Sequence, residues 1–334
     1  MKLTNEDNYS LSIAVWLTAD FYDHNRHPGK LHLSATRLLK PIKQLILGAR
    51  AFSDDSIETS RDLRDNIPSH MGTALHASVE RAWIHKHRDA LLALGYPEDT
   101  VKKIRINPPI EDAQNPNIIP IFLEQRFEKE IDGVIIDGQP DFIGQGILED
   151  FKSTGVYGYI KGNNDDQYIQ QGSIYRWLAP HVITSDFMRI QNIFTDWSKL
   201  DALIKKKAGY PPRRIITKKL KLMDLEETEA FVKQKIAAFK RYRKAPEASI
   251  PPCTPEDLWQ SEPVYKYFSK PENTRAQKVC DTYAEAHEQF MKGGATGLIK
   301  TIPGKVKRCN WCDGYVLCTQ KDEYLANGSL EPNN

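Results

Sequence analysis

The stretch GQPDFIGQGILEDFKSTG, residues 138–155, sets two carboxylates and a lysine close together in a run otherwise suited to buried strands. In an extended strand, side chains two residues apart point to one face, so Asp150 and Lys152 should face the same pocket. Asp141 can join them from the neighbouring strand. Burying three ionisable groups is costly unless a metal, a counter-charge or a substrate compensates them. The stretch therefore predicts a binding site.

The residue types indicate which chemistry this site could perform. Asp141, Asp150 and the backbone carbonyl of Phe151 supply oxygen ligands, which suit a hard divalent cation such as Mg²⁺ or Mn²⁺. Such an ion brings the pKa of a bound water toward neutrality, and Lys152 can orient that water or offset charge at phosphorus. This chemistry is phosphodiester hydrolysis. The alternative is a surface ion pair, since D-x-K occurs by chance in a chain that is 27% charged.

Length and composition describe a folded protein. The chain has 334 residues, 40% hydrophobic and 10% aromatic, which excludes wholesale disorder. The net charge is +2, from 46 basic and 44 acidic side chains, so nucleic-acid contact would have to come from local patches. With no secretory signal pattern and no apolar run of membrane-spanning length, we expect a cytoplasmic protein without a membrane partner.

Hydrophobic periodicity, caps and turn residues predict an α/β fold. A first helix is expected to begin after the cap Ser34 and to end at Gly48. Further helices are expected at 70–87, 167–180 and 224–243. Strands are expected as one meander over 122–144, and at 146–154, 187–197 and 213–223.

The order of these motifs resembles a known family. The chain contains GQPDFIG, then an interval of eight residues between Asp141 and Asp150, then EDFKST, and then a helix with the Q-x-x-x-Y spacing of Gln171 and Tyr175. This order resembles the PD-(D/E)XK nuclease superfamily, in particular its RecB-like branch. The resemblance covers roughly residues 70 to 320. It implies a restriction-endonuclease-like mixed central sheet flanked by helices.

The resemblance also implies domains and residue roles. We expect an N-terminal helical region at 1–110 that contributes an active-site histidine, a nuclease core at 111–245 and a C-terminal cysteine-ligated lobe at 246–334. The implied roles are metal ligation by His76, Asp141, Asp150 and the Phe151 carbonyl, catalysis by Lys152, and contact of Gln171 and Tyr175 with the DNA backbone or the lysine.

Several residues compete for these roles. His70 lies six residues before His76 on the same predicted helix, and Gln167 or Gln170 could shift the register of the glutamine. Glu124 could be a further acid of the site or a solvated partner of an arginine, and it is not assigned to the site.

Three cysteines near the C-terminus have the spacing of metal or cluster ligands. Cys309, Cys312 and Cys318 form C-x2-C-x5-C and require a fourth ligand. Spacing alone leaves Zn²⁺ and an iron–sulfur cluster open, because both accept four thiolates. The pattern suits reduced thiols rather than a disulfide framework.

Placed at the end of a RecB-like nuclease, this triplet resembles the [4Fe–4S]-bearing members, such as the AddB nuclease and the CRISPR-associated exonucleases. Those proteins supply their first cysteine upstream of the nuclease motifs, whereas this chain has no cysteine before residue 253. Another ligand must therefore substitute. The segment PPCTPEDLW followed by a terminal cysteine triplet resembles a set of phage-encoded nucleases with the same tail, and this resemblance implies Cys253 as the fourth ligand. Cys280 lies in an apolar slot and is predicted to be a core thiol.

A basic run at 204–221 contains eight Lys and Arg residues and no acid. Beside a nuclease pocket it would form a phosphate track, although such runs are often solvated hairpins. The leading hypothesis is a phage-type, Mg²⁺- or Mn²⁺-dependent DNA exonuclease that acts on single-stranded ends in recombination, replication or repair, in the host cytoplasm, with a helicase or recombinase as a candidate partner. The alternatives are a catalytically inactive DNA-binding scaffold and a zinc-stapled regulator.

Overall fold

The computed structural model describes residues 2–21, 23, 26–54, 56, 60–162, 164–205 and 209–331. The chain forms two compact units. The first comprises Met1–Leu39 and Thr59–Ile236, and the second comprises Lys40–Glu58 and Ala237–Asn334. A short N-terminal segment thus belongs to the C-terminal unit. The three-domain division at residues 110 and 245 stays a prediction.

The described residues of the two units form fourteen β-strands and eleven α-helices. The described strands are β1 Lys2–Thr4, β2 Leu31–Ser34, β3 Ser60–Asp62, β4 Ile104–Ile106, β5 Ile119–Leu123, β6 Phe127–Ile131, β7 Val134–Gly138, β8 Phe142–Gly144, β9 Ile147–Thr154, β10 Phe187–Phe194, β11 Ile215–Lys221, β12 Val264–Phe268, β13 Lys278–Cys280 and β14 Leu298–Ile302. The described α-helices are α1 Leu11–Thr18, α2 Ala35–Leu38, α3 Ile42–Ser53, α4 Ile67–Ala93, α5 Glu98–Val101, α6 Val156–Lys161, α7 Asp165–Leu178, α8 Lys199–Ile204, α9 Leu225–Tyr242, α10 Tyr283–Lys292 and α11 Gln320–Ala326.

A six-stranded mixed sheet forms the centre of the first unit, in the order β11-β10-β9-β8-β5-β4. β9 and β10 are parallel, as are β4 and β5, and the other neighbours are antiparallel. Helices α4 and α7 flank the sheets of this unit. The prediction of an α/β fold with a mixed central sheet between helices is confirmed.

The predicted meander over 122–144 is divided between two sheets. β5 and β8 belong to the large sheet, whereas β6 and β7 pair with β2 in a separate three-stranded sheet, in the order β2-β7-β6. β2 is parallel to β7, with Leu31 opposite Val134. A partner strand about a hundred residues away is a non-local pairing that a local hydrophobic pattern does not encode.

The first predicted helix is wrong in its extent. Ser34 does cap a helix, because its Oγ accepts a hydrogen bond from Arg37 N, but α2 ends after four residues. Pro41 follows, and a proline disfavours helical conformation in the residue before it. α3 then runs through Gly48 instead of ending there. A Cβ at Gly48 would lie 3.2 Å from the Asp313 side chain, so close packing explains this glycine.

The remaining helix predictions agree with the structure to within the uncertainty of helix ends, although α4 is longer than the predicted segment. The predicted cap Asp224 accepts a hydrogen bond of 2.7 Å from Glu227 N at the start of α9. Among the described helices, none combines the length and apolar character needed to cross a membrane.

The second unit contains α3, α10, α11 and a three-stranded antiparallel sheet in the order β13-β12-β14. A core cluster of Leu258, Val306, Cys309 and Leu330 lies in its C-terminal part.

Candidate functional site

The predicted acids meet at two antiparallel strands of the large sheet. Phe142 on β8 pairs with Glu149 on β9, and the same register places Asp141 opposite Asp150. Asp150 is 2% exposed and Asp141 is 9% exposed. The sheet therefore holds two carboxylates side by side, away from bulk water.

Lys152 shares the face of Asp150, as the i, i+2 spacing predicts. Its Nζ lies 2.6 Å from Asp150 Oδ2. Burial acts to lower the pKa of Lys152, but the negative charges of Asp150 and Asp141 outweigh it and raise this pKa above its ordinary value. The lysine is therefore a firmly protonated ammonium group beside the acids.

His76, on α4, contacts the middle of β9. Its Nε2 donates a hydrogen bond of 2.9 Å to the carbonyl of Phe151, so Nε2 carries the proton. In the neutral ring Nδ1 then has a free lone pair, and this atom lies 3.4 Å from Asp141 Oδ1. The Phe151 carbonyl, a predicted metal ligand, thus contacts the predicted metal histidine.

The competing histidine lies elsewhere on α4. Both ring nitrogens of His70 face main-chain carbonyls, Nδ1 at 3.0 Å from Asn66 O and Nε2 at 3.2 Å from Ala19 O. These contacts give His70 a structural role, and His76 is the histidine that meets the acids.

The structure adds Glu124 to the site, which sequence reasoning left out. This residue follows β5 and has φ of 48°, in the left-handed region that few non-glycine residues adopt. Its N–H donates to the Asp141 carbonyl at 3.2 Å, and its Oε1 lies 3.8 Å from His76 Nδ1. Burial raises the pKa of Glu124 to about 7.

His76, Glu124 and Asp141 each offer one ligand atom, and these three atoms all lie within 4.8 Å of one another. All three are lone-pair acceptors when the acids are ionised and the histidine is neutral. Acceptors that face one another repel unless a proton or a metal cation lies between them. The donor set of one nitrogen and two carboxylates fits a divalent cation.

Asp141 is fixed in this arrangement through both of its oxygens. Oδ2 accepts a hydrogen bond of 2.7 Å from Phe151 N, which leaves Oδ1 toward His76. Burial and then the neighbouring charge of Asp150 raise the pKa of Asp141 well above its ordinary value. Asp150 lies outside the group of three ligand atoms, and its assignment as a metal ligand stays a prediction.

The predicted Q-x-x-x-Y pair lies on one side of α7. Gln171 Nε2 donates a hydrogen bond of 2.8 Å to the Tyr175 hydroxyl. Burial raises the pKa of Tyr175 above its ordinary value, with a further contribution from Asp150. The Tyr175 ring lies against Gly138, where an added Cβ would come within 2.6 Å of it. The pair is thus packed next to the glycine that ends β7, and its role stays a prediction.

Four of the five cysteines line one pocket of the second unit, namely Cys253, Cys309, Cys312 and Cys318. Burial raises the pKa of Cys253 to about 12 and that of Cys309 to about 11. In the part of the chain that the structure describes, no three of these sulfurs come as close as the ligand atoms of the histidine–acid group. Cys280 is 5% exposed on β13 and does not line the pocket, in agreement with its prediction as a core thiol.

The basic run at 204–221 is only partly a free surface. Residues 206–208 lie outside the described residues. Lys218 Nζ is 2.5 Å from Asp165, and Lys219 Nζ is 3.6 Å from the centre of the Phe187 ring. β11 is also the edge strand of the large sheet, where lysines discourage pairing with another chain.

Sequence reasoning also missed the residues behind Glu124. Gln139 Nε2 donates to Glu124 Oε2 at 3.0 Å, and Arg126 donates to both Gln139 and Asp137. The signal in the sequence was the position of Gln139 two residues before Asp141, on the same side of an extended segment.

Of three comparisons with known proteins, only the one with solved structures finds similar chains, and their sequence identities are low. No protein-family model matches the sequence, and no curated protein matches it. Among solved structures, SSO0001 is similar with a TM-score of 0.37 and 13% identity, over 69% of this chain and 87% of that one.

An alkaline exonuclease from Laribacter hongkongensis has a TM-score of 0.34 and 11% identity, over 64% of this chain and 90% of that one. A phage-related exonuclease from Haemophilus somnus has a TM-score of 0.33 and 14% identity, over 64% and 94%. At these scores and identities the similarities are too distant to support an inference about this chain.

Proposed function

We propose that the first unit binds a divalent cation, Mg²⁺ or Mn²⁺, and hydrolyses phosphodiester bonds of DNA. The observation that carries this proposal is the convergence of His76, Glu124 and Asp141 on one point, next to a buried acid that holds a lysine ammonium group. A purely structural ion pair would need Asp150 and Lys152 alone. The three additional acceptors have no function in such a pair.

Each residue has a role that follows from its contacts. His76, Glu124 and Asp141 would hold the cation, which supplies an activated water and neutralises phosphate charge. Asp150 holds Lys152 so that its ammonium group stays at the edge of the site, where it can donate to a phosphate oxygen or orient the attacking water. The Phe151 N–H and carbonyl hold Asp141 and His76 in place.

On the RecB-like resemblance, we further propose that the substrate is DNA and that the protein acts as an exonuclease on single-stranded ends. The same resemblance supports a phage role in recombination, replication or repair. The exposed basic residues of the run at 204–221, such as Lys221, support contact with phosphates. A helicase or recombinase partner is proposed on the same resemblance.

The test is digestion of end-labelled linear and closed circular DNA, single- and double-stranded, with Mg²⁺ or Mn²⁺. Asp150→Ala should reduce cleavage by about 10³-fold. Glu149→Ala is the matched control, because Glu149 is an acid on the same strand whose oxygens contact Arg189 and Gln191 on the other face. Equal activity of wild type and Asp150→Ala on every DNA form would overturn the proposal.

An inactive DNA-binding scaffold is the alternative from another functional class. It predicts that wild type binds DNA and that no divalent ion produces cleavage. Release of labelled nucleotides from linear but not circular DNA would favour the exonuclease instead.

We also propose that the four-cysteine pocket of the second unit holds a metal centre, a [4Fe–4S] cluster or Zn²⁺. The support is chemical. Four thiols at one pocket suit either group, and buried thiols with raised pKa values need a cation to become thiolates. Anaerobic purification with iron and zinc analysis is the test. A brown protein with broad visible absorption indicates the cluster, and a colourless zinc protein supports the zinc-stapled regulator.

A further inference from the structure

The two carboxylate oxygens of Glu124 face different partners. Oε1 lies 3.8 Å from His76 Nδ1, on the side where the three ligand atoms meet. Oε2 accepts a hydrogen bond of 3.0 Å from Gln139 Nε2. One oxygen is therefore directed to the cation position, and the other is tied back into the protein.

The orientation of the Gln139 amide is fixed by its second partner. Arg126 Nη2 donates to Gln139 Oε1. A guanidinium group has donors only, so the amide oxygen must face Arg126. The amide NH₂ must then face Glu124, and an inverted amide would oppose donor to donor at one end and oxygen to oxygen at the other.

Arg126 is itself anchored in the three-stranded sheet. Its Nη1 donates to Asp137 Oδ2, and Asp137 on β7 is fully buried. The same carboxylate lies 3.2 Å from Arg26 Nη1 and 2.9 Å from His32 Nε2. A buried acid with several cationic or polar partners is a rigid point of attachment.

The backbone of Glu124 is held by the same segment. Its N–H donates to the carbonyl of Asp141, two residues after Gln139, at 3.2 Å. Main chain and side chain of Glu124 are thus both fixed by residues 139–141. This fixation explains how a glutamate can keep a left-handed backbone conformation with φ of 48°.

We propose that Gln139, oriented by Arg126, is a positioning residue that limits Glu124 to one-oxygen coordination of the cation and thereby favours Mg²⁺ or Mn²⁺ over Ca²⁺. This inference rests on the proposed cation site. Small octahedral ions accept single carboxylate oxygens, whereas Ca²⁺ readily takes both oxygens of a carboxylate and a larger ligand number. Outer partners of ligands commonly change metal affinity by about 10- to 100-fold.

The test is direct cation binding by the full chain, with Mn²⁺ followed by electron paramagnetic resonance and Ca²⁺ by calorimetry. Gln139→Ala should raise the Mn²⁺ dissociation constant by about 10- to 100-fold and the Ca²⁺ constant by less, so that selectivity falls. Gln139→Glu keeps an acceptor for Arg126 but turns a second carboxylate toward Glu124. It should not restore Mn²⁺ selectivity, and it serves if the alanine variant folds poorly.

Gln191→Ala is the matched control, because Gln191 makes the same kind of hydrogen bond, 2.8 Å to Glu149 Oε2, on the opposite face of β9. It should bind Mn²⁺ as wild type does. In a Glu124→Ala background, Gln139→Ala should have no further effect on Mn²⁺ affinity, since its action passes through Glu124.

Two results overturn the inference while leaving the cation site intact: Mn²⁺ binding by Gln139→Ala at the wild-type constant and selectivity, or an equal loss with and without Glu124. A wild-type protein that binds Mn²⁺ no better than Asp141→Asn removes the proposed site itself, and the inference with it. The two failures are therefore distinguishable in one set of titrations.

Discussion

The acid site of the first unit and the cysteine pocket of the second differ in the atoms they present and in how the chain supplies them. The acid site gathers one nitrogen and carboxylate oxygens from α4, the end of β5 and the start of β8, and a lysine ammonium group lies 2.6 Å from Asp150 beside them. The pocket offers four thiols, three of them between residues 309 and 318, and charged side chains such as Asp257 and Lys321 also line it.

This difference indicates a catalytic role for the acid site and a structural, metal-binding role for the cysteine pocket. A site with hard ligands, a held cationic side chain and a partly exposed histidine can admit a phosphate and a water. If one metal takes up all four thiols of the pocket, no ligand position is left for a phosphate or a water. We therefore expect the first site to determine cleavage and the second to determine stability.

The largest expected effect is the loss of DNA cleavage when Lys152 is substituted. Lys152→Gln removes the ammonium group that Asp150 holds, so cleavage of DNA should fall by about 10³-fold at saturating Mn²⁺. The Mn²⁺ dissociation constant should not rise, because Lys152 is a competing cation and not a ligand. Single-turnover digestion and Mn²⁺ titration of the same preparation measure both quantities. A parallel loss of metal binding would mean that Lys152 supports the fold of the site.

The second effect concerns the cysteine pocket. Cys309→Ser removes a predicted ligand, and loss of a structural metal should lower the unfolding free energy of the second unit by about 3 kcal/mol or more. The unfolding midpoint should then fall by roughly 10 °C, as followed by calorimetry.

Cys280→Ser is the control for this substitution, since Cys280 is buried but does not line the pocket. It should retain the bound metal and lose much less stability. If both variants lose the same stability and neither changes metal content, the pocket is not a metal centre.

The two regions were not equally predictable from the sequence. Asp150 and Lys152 follow from a two-residue strand period, and α7 and α9 follow from helical spacing and caps, because these signals are local. The role of Glu124 depends on a left-handed backbone and on a hydrogen bond to Gln139, fifteen residues later. The separate sheet of β2, β7 and β6 depends on a still longer pairing. Neither is encoded in a pattern of neighbouring residues.

A third effect is pH dependence, which should differ between the regions. Burial raises the pKa of Glu124 from an ordinary 4.5 to about 7, so the folded metal-free protein keeps a proton that the unfolded chain has released. The free energy of unfolding of the metal-free protein should therefore fall as the pH rises from about 4.5 to about 7, because the folded protein binds the Glu124 proton more tightly than the unfolded chain does. Cation binding needs the ionised acid, so ionisation of Glu124 should raise Mn²⁺ affinity by up to about tenfold per pH unit, and this contribution should level off above neutrality.

The metal affinity of the cysteine pocket should not level off near neutrality. Burial places the pKa of Cys253 near 12 and that of Cys309 near 11, so metal binding there continues to release protons above pH 8. Zinc affinity of the metal-free pocket should keep rising from pH 7 to 9. Glu124→Gln should remove one proton step from the Mn²⁺ profile and leave the zinc profile unchanged.

The smallest expected effect is on stability and comes from the left-handed backbone conformation of Glu124. A left-handed conformation costs an L-residue about 1 kcal/mol or more, and glycine adopts it freely, although glycine also gains freedom in the unfolded chain. Glu124→Gly should therefore be more stable than Glu124→Ala by roughly 0.5 to 1 kcal/mol in urea denaturation. Both variants should lose Mn²⁺ affinity equally, because both lack the carboxylate.

Ala295 offers the comparison in the second unit, since it has φ of 57° and is exposed. Ala295→Gly should gain a similar roughly 0.5 to 1 kcal/mol with no change in metal binding at either site. If Glu124→Gly gains nothing over Glu124→Ala while Ala295→Gly does, the hydrogen bond to Asp141 already offsets the strain. Equal gains would mean that the strain at Glu124 persists in the native protein, and that its carboxylate is retained for the cation and not for stability.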